Sequence, residues 1–231
     1  MKEIYLDNAS TTPIYKEVIK EMNKSYLEDY GNPSSLHKLG EKARNSVNKA
    51  RTEIAREINA NPSEIIFTSG ATESNNLAFF GLAKQNKKKN KILISSIEHS
   101  SIFEISEALK KEGYKIIEIP IDSQGFVDIP FISRNIDNNT LLVSVIHTNN
   151  EIGVIQDIES IGKICKSKNI LFHTDAAQSF GKLNIDAKKM NIDLLSAGAH
   201  KIGGPKGAGF LYIKENLKIM PLFMGADKKE V

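Results

Sequence analysis

From residue 62 onward the chain alternates short, β-branched, apolar runs with longer stretches of helical period, and few folds accept that alternation. The runs are Ile65-Ile66-Phe67, Ile92-Leu93-Ile94, Lys115-Ile116-Ile117-Glu118-Ile119, residues 141–146, Ile170-Leu171-Phe172, Asp193-Leu194-Leu195 and residues 209–213. Strands that are apolar throughout are buried on both faces, as in a mostly parallel sheet between helices. Over residues 100–111, Ile102, Ile105 and Leu109 share one helical face; over residues 157–168, Ile158, Ile161 and Cys165 do so behind a capping Asp157. The N-terminal third reads as helical, with Leu36, Leu39, Ala43, Val47, Ala50, Ile54 and Ile58 recurring every three or four residues. The predicted fold class is α/β: a mostly parallel central sheet with helices on both faces.

In such sheets ligands sit beyond the carboxyl ends of the strands, so the polar residues after each run carry the functional question. Phe67 precedes Thr68-Ser69-Gly70-Ala71-Thr72-Glu73-Ser74-Asn75 and then an apolar helix at residues 77–83. A small-residue turn into a helix N-terminus offers N–H groups to an anion, with Ala71 and Thr72 nearest; a plain capped helix start, since such turns are common, is by itself the more ordinary explanation. Glu98-His99-Ser100 follows the second run, where His99 also reads as an ordinary loop histidine. His147-Thr148-Asn149-Asn150-Glu151 follows residues 141–146, and an Asn-rich turn accounts for it too. Leu171-Phe172-His173-Thr174-Asp175 ends on a carboxylate, with Gln178 three residues on. That acid is either an N-cap or a fixed negative charge facing a cationic heterocycle. Ser196-Ala197-Gly198-Ala199-His200-Lys201 runs into Ile202-Gly203-Gly204-Pro205-Lys206-Gly207, which sets a lysine among small residues. Together these supply an anion site, a ring-facing histidine, a carboxylate and a crowded lysine, the set a pyridoxal phosphate site needs.

Composition excludes other classes. A formal charge of +3 over 231 residues gives no argument for nucleic acid, and residues 87–91, rich in lysine, read as a solvated loop. No apolar stretch approaches the ~20 residues of a membrane span. The N-terminus lacks the organisation of a signal peptide, and the single Cys165 fits a reducing compartment. A cytoplasmic protein is expected, with no metal site.

The same segments resemble the cysteine desulfurases of the class V aminotransferase family. The likeness runs in order through Tyr5-Leu6-Asp7-Asn8-Ala9-Ser10-Thr11-Thr12-Pro13, Gly31-Asn32-Pro33-Ser34-Ser35, residues 67–74, Glu98-His99, Asn149-Asn150-Glu151-Ile152-Gly153, His173-Thr174-Asp175-Ala176-Ala177-Gln178, and His200-Lys201 with Gly204-Pro205-Lys206-Gly207. The resemblance implies an N-terminal arm over residues 1–13 and, over residues 14–231, an aspartate-aminotransferase-like large domain that binds pyridoxal 5'-phosphate. It implies that Lys201 carries the cofactor covalently and then acts as acid and base. Asp175 would pair with the pyridine nitrogen, Gln178 with the phenolic oxygen, and His99 would stack on the ring and take part in proton transfer. Ala71, Thr72 and His200 would hold the phosphate, with Asn150 near the substrate carboxylate. The implied reaction takes sulfur from L-cysteine, leaves L-alanine, and passes a persulfide to an acceptor protein for iron–sulfur clusters or tRNA thiolation.

Three departures qualify that implication. The family's sulfur-accepting cysteine and a carboxylate-binding arginine belong to a C-terminal small domain that these residues do not contain, and Cys165 reads as a small buried thiol. The likeness decays over residues 224–231. Gly198 stands where many relatives carry a phosphate-binding serine, a loss of ~1.5–3 kcal/mol. The chain alone is therefore expected to bind cofactor, as a homodimer or with a full-length or C-terminal partner, but to be inactive in sulfur transfer. The alternatives are a non-catalytic cofactor-binding or dimerisation partner, or another class V activity such as selenocysteine lyase or aminotransferase.

Overall fold

A computed structural model describes residues 3–225, so the sequence reading of residues 226–231 lies outside the described residues. Seven strands form one sheet in the order β1-β7-β6-β5-β4-β2-β3. They are β1 Ile65–Thr68, β2 Lys91–Ser95, β3 Lys115–Ile119, β4 Thr140–Ser144, β5 Leu171–Asp175, β6 Leu194–Gly198 and β7 Gly209–Ile213. Pairing is parallel from β6 through β5, β4 and β2 to β3. Only β7 runs against its neighbours, β1 and β6. The apolar runs predict the strands but carry no direction, so this reversal is a structural finding.

The helices are α1 Lys16–Glu28, α2 Lys38–Glu57, α3 Ala71–Gln85, α4 Ser100–Lys111, α5 Ile129–Asn135 and α6 Ile158–Ser167. Successive strand side chains point to opposite faces, and the core divides accordingly. Leu93, Val143, Phe172, Leu195 and Phe210 pack with Ala55 of α2, Ile132 of α5 and Ile161 and Cys165 of α6. Ile92, Ile94, Leu142, Leu194 and Leu211 pack with Phe79 of α3 and Ile105 of α4. Helices thus cover both faces, as expected. Helix α1 buries no residue.

Two expectations need correction. Not every apolar strand is buried on both sides: Ile66 and Phe67 are each 40% exposed, and β3 is mostly uncovered, because β1 and β3 are the sheet edges. Nor is the whole basic run solvated. Lys87 and Lys88 lie exposed in a turn, but Lys91 opens β2 and is buried. Its Nζ sits 2.5 Å from Asp137 Oδ2 and 2.7 Å from Asn135 O, which compensates the desolvation.

Candidate functional site

All eight predicted residues, Ala71, Thr72, His99, Asn150, Asp175, Gln178, His200 and Lys201, line one cavity of about 550 Å³. The fold explains the convergence. β1, β2, β4, β5 and β6 point the same way, so their carboxyl ends deliver Gly70, His99, Ile146, Asp175 and Gly198 to one rim. His200 and Lys201 sit in a short 3₁₀ turn directly after β6.

Helix α3 begins at the cavity, and its N-cap Gly70 supplies no side-chain hydrogen bond, so the first-turn N–H groups are left for a ligand. Asp175 caps the turn that follows it and lines the cavity. Its Oδ1 accepts from Ala177 N at 2.9 Å, capping the turn, while Oδ2 accepts from Asn75 Nδ2 at 2.8 Å. Asn149 and Asn150 divide the two roles between them. Asn149 braces its turn, accepting from Glu151 N and Ile152 N and donating to Ile97 O, and leaves Asn150 to the cavity.

The N-terminal segment forms a wall of the site. Thr12 N and Oγ1 both donate to His200 O, at 2.8 and 2.9 Å, and Thr12 Oγ1 accepts from Gly203 N. Thr11 Oγ1 lies 3.2 Å from His200 Nδ1, and Gln178 Nε2 donates to Ala9 O at 2.7 Å. Gly203, at φ +78°, lies against the Tyr15 ring, which a Cβ would approach within 2.3 Å, so a side chain there is strained and displaces the ring.

Burial sets the electrostatics. Lys201 is 9% exposed; burial lowers its ammonium pKa, Asp175 pulls the other way, and Lys182 lowers it further. His200 is lowered by burial, then by Lys201 and Lys206. Glu98 accepts from Ser95 Oγ and Ile146 N, yet burial and the nearby Asp175 push its carboxyl up to about 8. It therefore stays neutral at pH 7 behind an ionisable neighbour. Burial takes His147 down to about 4 and His173 to about 3. His173 is locked inside the sheet between Ser144 and Ser196 hydroxyls. Cys165 is fully buried among core side chains, with its thiol pushed up to about 12 by burial and Asp193.

Sequence reasoning missed Lys206, which lines the cavity, and Asn75, Glu98 and Ser101, which support its lining residues from behind. Asn75 lies one turn after Thr72 on α3, a spacing that places both on one face and could have flagged it. Glu98, a lone acid after an apolar strand, carried a similar signal.

The donor set fits pyridoxal phosphate: a buried carboxylate, a buried lysine and an uncapped helix start share one cavity. A Cβ at Gly198 would sit in ordinary contact, 3.4 Å from Ala71 N and 3.5 Å from the His200 ring, so a β-carbon is accommodated there.

Residues 4–231 match the family described as Aminotransferase class-V. The chain is 47% identical over 229 residues to the cysteine desulfurase IscS of Clostridium botulinum, covering 99% of this chain and 58% of that protein. It is 45% identical to the mitochondrial cysteine desulfurase of Saccharomyces cerevisiae, covering 99% of this chain and 47% of that one. Among solved structures, SspA in complex with cysteine superposes with a TM-score of 0.93 at 41% identity, covering 97% of this chain and 65% of that one. A NifS-like protein gives 0.94 at 39%, covering 97% and 62%. The chain thus spans about half of the length of the curated relatives it matches.

Proposed function

The chain belongs to the class V aminotransferase family, and from that premise we propose that it is the cofactor-binding part of a cysteine desulfurase. One observation carries the reading: Asp175 and Lys201, 2% and 9% exposed, line the same cavity as the uncapped start of α3. Pyridoxal 5'-phosphate, when bound there, supplies an electron sink for charge developing at the substrate α-carbon. The chain's own residues do the rest. The α3 N-terminus, Thr72 and His200 bind the phosphate dianion. Asp175 holds a proton at the ring nitrogen, with Asn75 and the Ala177 N–H keeping its carboxylate in place. Lys201 anchors the cofactor and then moves the proton at the substrate α-carbon, a role suited to an ammonium whose pKa burial has lowered. His99 and Gln178 orient the ring, and Asn150 addresses the substrate carboxylate.

The substrate is L-cysteine, left as L-alanine when its sulfur passes to a thiol as a persulfide. Cys165 is not that thiol, since it is walled into the core with its pKa near 12. That burial favours a second reading, in which these 231 residues bind cofactor without completing sulfur transfer. A homodimer, a sulfur-acceptor protein for iron–sulfur clusters or tRNA thiolation, and a cytoplasmic setting complete the proposal. Among the described residues no helix is long and apolar enough to cross a membrane.

Titration with pyridoxal phosphate is expected to raise a visible absorbance band that Lys201→Ala abolishes. No band at saturating cofactor overturns the reading. With L-cysteine, the 231-residue chain is expected to release no more than traces of sulfide and alanine; steady turnover would remove the second reading.

A further inference from the structure

Asp175 and His99 follow different strands, yet one run of hydrogen bonds joins them. Asn75 Nδ2 donates to Asp175 Oδ2 at 2.8 Å and to Ser101 Oγ at 3.2 Å, and Ser101 Oγ lies 2.9 Å from His99 Nδ1. Counting donors fixes the direction of every link. A carboxylate only accepts, so Asn75 must turn its amide nitrogen toward Asp175. The second hydrogen of that nitrogen goes to Ser101 Oγ. The backbone N–H of Ser101 already donates to His99 Nδ1 at 3.2 Å, so Nδ1 carries a lone pair. The Ser101 hydroxyl hydrogen shares that lone pair, and the ring proton of neutral His99 is left on Nε2. Asn75 is wholly buried, and this orientation leaves its Oδ1 without a partner. Its amide is therefore held by its nitrogen alone, between Asp175 and Ser101.

We propose that Asn75 and Ser101 are positioning residues that lock neutral His99 in its Nε2–H tautomer and tie its ring to Asp175, so that the ring nitrogen away from Ser101 is a hydrogen-bond donor and not an acceptor. The proposal rests on reading the cavity as the cofactor site, and it divides the labour there. Proton abstraction falls to Lys201, while neutral His99 donates a hydrogen bond or stacks. Neither Asn75 nor Ser101 reaches the cavity, which is lined by His99 and Asp175 at the two ends of the run.

The test is made on the cofactor-free full chain, with its histidines labelled in nitrogen-15 and His99 assigned by the His99→Gln variant. Long-range proton–nitrogen correlation reads which ring nitrogen is protonated. In the wild type Nε2 is expected as the protonated nitrogen and Nδ1 as the bare one. Ser101→Ala should move the two shifts toward each other, as a second tautomer is admitted, and Ser101→Thr should restore the wild-type pair. Asn75→Ala should shift them in the same direction by a smaller amount; if that variant does not fold, the Ser101 pair decides. A bare Nε2 in the wild type, or a Ser101→Ala spectrum identical to it, overturns the proposal. None of these readouts requires cofactor, so a missing absorbance band would sink the functional reading and leave this one to stand or fall by itself.

Discussion

Lys91 opens β2 at the amino end of the sheet and Lys201 follows β6 at the carboxyl end, and the two side chains are almost equally withdrawn from water, 8% and 9% exposed. Lys91 meets a carboxylate and a backbone carbonyl, and its ammonium in turn holds the Asp137 carboxyl below the usual range. Lys201 Nζ has no hydrogen-bond partner among the described residues, and its pKa is lowered. The comparison separates two things that burial alone confuses. Desolvation with compensation makes a structural lysine; desolvation without it leaves an amine ready for chemistry.

Exchanging each lysine for methionine is the hardest test of that contrast. Lys201→Met is expected to lose the cofactor band completely with little change in stability. Lys91→Met should keep the band and lose about 1–3 kcal/mol, read by denaturant unfolding. A Lys91→Met protein that also lost the band would break the distinction between the two ends.

Glu98 sharpens it from the carboxyl side. A buried carboxyl raised from 4.5 to about 8 favours the native state most below its unfolded value, and the advantage declines as pH climbs toward 8. Wild-type stability should therefore fall between pH 5 and 8, at up to about 1.4 kcal/mol per pH unit, while Glu98→Gln stays flatter. Unfolding curves of the two proteins across that window would show equal slopes if Glu98 were ionised throughout.

The smallest effect is expected at Gly198. Gly198→Ser places its β-carbon in ordinary contact with Ala71 N and should hold cofactor about tenfold more tightly. Competition dialysis that found retention unchanged would move the phosphate away from the start of α3.

Much of this was legible in the sequence because strands buried on both faces are mostly apolar, and the five strands inside the sheet edges are buried along most of their length. The edge strands did not announce themselves. Ile66 and Phe67 look as apolar as Leu142 and Val143, and only their place in the sheet leaves them exposed. The eight cavity residues were legible because each lies at a strand end, in the turn that follows one, or at a helix start, where polar residues stand out. What stayed hidden depends on convergence between distant segments: Asn75 meeting Asp175 across 100 residues, or Lys91 meeting Asp137 across 46. No local pattern encodes such partners.

The reversed strand β7 has a consequence for how the molecule is made. Among the described residues β1 joins the sheet only through β7, and the turn after β1 lies so close to Gly209 that a Cβ there would come within 2.6 Å of Gly70 Cα. A growing chain therefore finishes β1 at Thr68 and must wait until Ile213 is synthesised before that strand has a partner. Such long-range closure is slow and leaves an unpaired edge in the meantime. The start of α3 and the lysine turn after β6 meet across the same seam. A ligand that needs both can bind only after β7 has docked, which makes its binding a report on closure of this sheet.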